Sequence, residues 1–300
     1  NHRVQKFDCS GNFLGKWGSS LHADGEFFAP QGIAVSSSGH VFVADHGNGR
    51  VQKFDSSGNF LLQWGSLGLP DERFEYVWDV TVDPLGNVLV AEWGKNRIQG
   101  FDSSGAFLGT WDHWGRAIAA DGFGNVFAAR SDSISKLDSS GNLVASWGSS
   151  GTAPGQFNGA TDLAVDPSGN VLVLDGGNFR VQRFDADGNF LGTWGSRGSA
   201  DGEIGEYDEE GNGPAGIAVD LLGNVFVADT YNNRIQKFDP SGGFLCKWGR
   251  QGRAAGQFDD PSGVAVDSLG HVYVVDSWNL IPALLKPDLK TTGFTGPPGP

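Results

Sequence analysis

Two aspartates, Asp79 and Asp162, stand in an internally repeating sequence at a place that glycine or alanine fills in the other units, with Trp78 and Arg116 in the same layer. A carboxylate pair with an arginine and an indole suits a small polar ligand. It can also divide acid and base roles between two groups if their surroundings separate the pKa values. In a metal-assisted lyase or hydrolase, Asp79, Arg116 and Asp162 would be the catalytic set. The plainer reading is that they form hydrogen bonds and plug the mouth of a channel.

Two other groupings have the composition of metal sites. His2, His22 and His46 fall on loops of neighbouring units near Asp45 and Asp276, and imidazole with carboxylate suits Zn²⁺. The loop at 200–214 carries carboxylates at Asp201, Glu203, Glu206, Asp208, Glu209 and Glu210, whose oxygens suit Ca²⁺. Their spacing is not that of an EF-hand, and a solvated acidic loop is the simpler account. We therefore expect no cofactor, with Ca²⁺ or Zn²⁺ at these residues as the alternative. His40 and His271 take the turn position that Asn fills in other units.

Aromatic and cationic side chains form a third set. One unit is short, by nine residues after Trp111 and by two at 130–134, which leaves a notch lined by His113, Trp114, Arg116 and Arg130. Trp93, Phe179, Tyr231 and Trp278 fall in variable loops next to a repeated Asp or Asn. Exposed rings of this kind stack on sugars or anchor a protein partner; packing over the loops beneath is the competing account.

All of these side chains need a scaffold, and the scaffold is the repeat. Tryptophan closes each unit at Trp17, Trp64, Trp111, Trp147, Trp194 and Trp248, most often 47 residues apart. The unit at 216–249 reads GIAVD, NVFVAD, RIQKFD, FLCKWG, four short runs whose period-2 alternation predicts strands. Turns such as DPLGN at 83–87 put proline where φ near −65° is wanted and glycine where φ must be positive. One four-stranded sheet cannot bury both faces, so the units must pack face to face in a ring.

Six units start, at Gly32, Asp79, Ala117, Asp162, Gly216 and Gly263, but the sixth stops after two strands. Residues 1–18, NHRVQKFDCSGNFLGKWG, supply the missing outer pair. The sequence therefore predicts an all-β, six-bladed β-propeller over 1–279, with four-stranded antiparallel blades and N-terminal strands completing the last one. Residues 280–300 form a Pro/Gly-rich tail whose Gly293, Gly296 and Gly299 have the spacing of a collagen-like G-X-Y segment.

The phrase at 216–238, GIAVDLLGNVFVADTYNNRIQKF, resembles the NHL repeat, whose propellers commonly have six blades. The resemblance covers residues 1 to about 279. It implies a fold more sharply than a function, because such propellers include RNA-binding regulators, amidating lyases, receptor-like ectodomains and scaffolds. The metal-binding histidine motifs of the lyases have no match in this sequence.

Composition narrows the function. With 39% hydrophobic residues the chain can bury a core, and a net charge of −14 disfavours a nucleic-acid partner. No apolar run approaches the roughly 20 residues of a membrane-spanning helix. Cys9 and Cys246 are expected as two free thiols. The reading that follows is a non-enzymatic, extracellular or cell-surface propeller that binds protein or carbohydrate through its top-face loops and self-assembles through its tail.

Overall fold

The computed structural model describes residues 1–65, 74–205 and 213–277. The short alternating runs form twenty-four strands, sorted into six four-stranded antiparallel sheets. Two 3-10 turns, His46–Asn48 and Gly176–Asn178, are the only helical segments among the described residues. In the first blade Ile33–Val35 lies innermost, Val41–Asp45 and Arg50–Phe54 follow, and Phe60–Trp64 forms the rim. The second to fifth blades span 77–111, 117–147, 160–194 and 216–248.

The sixth blade joins the two ends of the described chain. Its inner strands are Pro261–Val266 and Val272–Asp276, and its outer strands are Arg3–Phe7 and Phe13–Trp17. Pairing runs from Arg3 opposite Asp276 to Phe7 opposite Val272. The closure expected from the sequence is therefore present, and it is apolar as well as hydrogen-bonded: Val4 and Phe7 are fully buried.

The core lies between blades. At the seam of the sixth and first, Val4, Tyr273 and Val275 pack with Ile33, Val41 and Val43. Each rim tryptophan covers the outer turn of the next blade. At Gly58, whose φ is +87°, an added Cβ would lie 2.6 Å from the Trp17 indole, so both backbone shape and close approach require glycine. On the same edge Lys6, Lys53, Lys136, Arg183 and Lys237 donate to carbonyls of the next blade's outer turn. The second blade has Gly100 at that place.

The recurring Asp and Arg pairs bind the inter-blade loops to the blades. Arg50 Nε donates to Asp45 at 2.7 Å, while its Nη2 donates to the Ala23 and Glu26 carbonyls. Arg97 with Glu92, Arg180 with Asp175, Arg234 with Asp229 and Arg3 with Asp276 repeat the pairing. A device present in five blades marks no single site.

The inner strands do not all begin where the sequence places them. The first begins one residue later, at Ile33, and those of the second, fourth and sixth blades begin two residues earlier, at Val77, Ala160 and Pro261. In those three blades the register shifts between Val77 and Asp79, Ala160 and Asp162, and Pro261 and Val264. A bulge lets extra residues join the strand and re-aims the side chains beside it.

Candidate functional site

The long inter-blade loops and the 3-10 turns share one end of the ring, the top face; the tight hairpin turns share the other. The channel mouth on the top face brings together Trp78, Asp79, Arg116 and Asp162, the layer that the sequence singles out, with Gln31, Thr161, Ala215 and Ser262 around them. The cavity there measures about 40 Å³, room for roughly three waters.

The bulges aim Asp79 and Asp162 at the following blade. Asp79 accepts from its neighbour Val80 N at 2.8 Å and from Ile118 N of the third blade at 2.8 Å. Asp162 accepts in the same way from Leu163 N at 2.8 Å and from Ile217 N of the fifth blade at 2.7 Å. Each carboxylate thus staples two inner strands at a place where no ladder joins them. Gly32 leaves the space for this: a Cβ there would lie 2.2 Å from Asp79 Oδ1.

Withdrawal from water pushes the Asp79 carboxyl up to about 7, against the opposing pull of the two N–H donors. Asp162 is also raised well above the usual carboxylate range, first by burial and then by the Asp79 charge, with its N–H donors and Arg116 opposing. An aspartate in the unfolded chain ionises near ~3.9. Between that pH and about 7, unfolding releases a proton that the folded Asp79 holds, so this group's stabilising contribution falls as pH rises. Urea midpoints of wild type and Asp79→Asn at pH 5 and pH 8 check this. The stability advantage of wild type over the variant is expected to be greater at pH 5; a gap independent of pH would contradict it.

Beside the carboxylates the first three blades contribute one aromatic cluster. The Arg116 guanidinium lies 4.7 Å from the centre of the Trp78 ring. Trp78 meets Trp93 at 6.5 Å and His46 at 5.1 Å, and Tyr76 meets both His46, at 5.7 Å, and Trp93, at 5.9 Å. His46 Nδ1 also bonds the Val77 carbonyl at 2.8 Å. A second stacked pair, Arg130 over Trp114 at 4.6 Å, stands in the notch with His113, whose pKa burial and the Arg130 charge lower.

Tyr76 is the member that sequence reasoning missed. Its φ is +60°, a conformation that a bulky side chain adopts rarely and at a cost on the order of 1–3 kcal/mol. The conformation belongs to the repeat: the corresponding Ala29, Gly159 and Asp260 of the first, fourth and sixth blades have φ of +48°, +77° and +61°.

The other candidates stand apart. His2 is buried and its Nδ1 accepts from Ala29 N at 3.0 Å, while His22 faces Asn48 at 2.6 Å. Burial holds His2 down at about 4. With His46 turned toward the second blade, the three histidines occupy separate hydrogen-bond networks. No group of three metal-ligating side chains occurs among the described residues. Asp201 pairs with Lys247 at 2.6 Å and Glu203 caps Ala200 N at 2.9 Å; Glu206, Asp208, Glu209 and Glu210 lie outside the described residues. Phe179 packs against the core beneath it and lies under Arg197, whereas Tyr231 is exposed. Trp278 and the tail at 280–300 lie outside the described residues, and Cys9 and Cys246 are unpaired thiols.

The NHL repeat pattern matches residues 29–54, 74–101, 157–184, 212–238 and 258–280, a stretch in every blade but the shortened third. No curated protein matches the chain. Among solved structures, one of streptogramin B lyase is 14% identical, with a TM-score of 0.57 over 90% of this chain and 96% of its own. A catalytically inactive virginiamycin B lyase from Staphylococcus aureus with quinupristin is 15% identical, with a TM-score of 0.56 over 83% and 78%. A protein of unknown function from Bacteroides thetaiotaomicron is 18% identical, with a TM-score of 0.65 over 92% and 74%. Likenesses this distant in sequence show the fold alone.

Proposed function

We propose that this chain, an NHL-repeat propeller, is a non-enzymatic interaction protein that holds a protein partner on its top face, at the cluster of Tyr76, Trp78, Trp93 and Arg116. The observation that carries this reading is the stack of Arg116 on Trp78 within a run of aromatic rings. Tryptophan, tyrosine and arginine are the residues that dominate binding at protein interfaces. The same rings would stack on a sugar, so a glycan is the second class of ligand. An extracellular location and assembly through the G-X-Y spacing at Gly293, Gly296 and Gly299 complete the proposal.

The test compares proteins retained from an extract of the source organism by immobilised wild type and by Trp93→Ala/Arg116→Ala, after both are shown to melt alike. A protein retained by wild type and lost with the variant is expected, and a glycan array probed with the same pair separates the two ligand classes. Identical profiles in both assays would sink the reading.

One observation favours a lyase or hydrolase instead. The Asp79 carboxyl, raised to about 7, stands near Asp162 and Arg116, a pair able to exchange protons at neutral pH. Its likeness to streptogramin B lyase in fold is consistent with that chemistry. Against it, both oxygens of each carboxylate already accept backbone N–H groups. A turnover abolished by Asp79→Asn and by Asp162→Asn would establish the enzyme.

A further inference from the structure

The bottom face carries a pattern that the top-face site does not explain. Each blade has two hairpin turns there, one beside the channel and one at the rim. In the six rim turns the second and third residues are Cys9-Ser10, Ser56-Ser57, Ser103-Ser104, Ser139-Ser140, Ala186-Asp187 and Pro240-Ser241. The channel-side turns of four blades carry large apolar residues at the same places: Leu85, Phe123, the pair Leu221 and Leu222, and Leu269. Their exposures are 87%, 88%, 68%, 81% and 79%. Turn chemistry does not ask for this, since the shared Asp and Gly shape both sets alike.

The disc that these tips form is also free of exposed charge, although the chain carries −14. Its only acidic residues open the turns, and they are tied down. Asp121, for example, is 5% exposed and accepts from Phe123 N, Asn125 N and Asn125 Nδ2. An apolar, uncharged centre inside a polar rim is the anatomy of a protein interface.

We propose that this face is a self-association surface on which two copies of the chain dock bottom to bottom about a two-fold axis. Such an interface needs projections and a hollow on one surface, because each contact occurs twice. Both are present: beside the tips, a hollow of about 180 Å³ opens among Val165, Pro167 and Val219, with Asp121, Asp166 and Asp220 also in its wall, large enough for a leucine or phenylalanine side chain from the partner copy. At roughly 100–150 Å² of apolar surface per tip, each face offers roughly 500–750 Å². Pairing two faces removes roughly 1,000–1,500 Å², the size at which specific dimers begin.

Sedimentation of the full chain over a concentration series tests this, with Phe123→Asp/Leu222→Asp and, as a rim-turn control, Ser57→Asp. All three sites are in exposed turns, where substitution leaves stability nearly unchanged; matching circular dichroism melts confirm it. Wild type and Ser57→Asp are expected to form dimers with a Kd at or below about 10 µM, and the double variant to weaken them by at least about a hundredfold through buried like charges. A wild type that shows no association, or association that the double variant leaves intact, overturns the proposal.

Discussion

A chain lacking residues 1–18 is expected to lose its cooperative thermal transition. The deletion removes both outer strands of the sixth blade and leaves the outer edge of the Val272–Asp276 strand unpaired. It takes away Val4 and Phe7, fully buried in two different seams, at about 1.5–3 kcal/mol each. It also strips Arg3 from the buried Asp276, where an unmatched charge costs about 3–5 kcal/mol. Together with the ladder hydrogen bonds, these losses match the whole stability of an ordinary domain, about 5–15 kcal/mol. Differential scanning calorimetry reads the result directly; an undiminished melting temperature would mean that the ring closes by other means.

The second large effect is expected at Arg234. Its Nε donates to Asp229 at 2.7 Å, and its other nitrogens donate to the Ser199, Ala200 and Glu203 carbonyls. Asp229 is fully buried and also accepts from Gln236, Asn232 and Gly205 N. Arg234→Met keeps most of the volume but leaves that carboxylate without its cation and three loop carbonyls without a donor. A loss of about 3–5 kcal/mol is expected, measured as a shifted urea midpoint with an unchanged slope. A loss below about 1 kcal/mol would assign the pair the weight of a surface bridge.

The sequence carried the ring, the number of blades and the closure because all three follow from a repeat whose phase can be counted. It also brought Trp78, Asp79, Arg116 and Asp162 into one layer. What it did not carry depends on local departures from the period. The bulges before Asp79 and Asp162 leave the alternation of apolar residues intact, so their effect, two carboxylates turned into inter-blade staples, is invisible until the register is known. His2, His22 and His46 look like a cluster in a linear frame, yet each finds a separate hydrogen-bond partner. Tyr76 lies just before a strand start that is itself shifted. Leu85 and Phe123 pass for filler inside well-formed turns; only their shared place around the channel, against serine at the rim, gives them meaning.

The distinction between a binding face and an active site rests on the aromatic cluster, and one titration addresses it. With a partner retained by the top face in hand, its affinity is measured for wild type, Arg116→Ala and Asp79→Asn by isothermal calorimetry. The account predicts that Arg116→Ala weakens binding by about thirtyfold or more, the effect of losing a central anchor worth about 2 kcal/mol, while Asp79→Asn, which alters an inter-strand staple, changes it several-fold at most. Unchanged affinity in Arg116→Ala would contradict the claim that this cluster is the binding site.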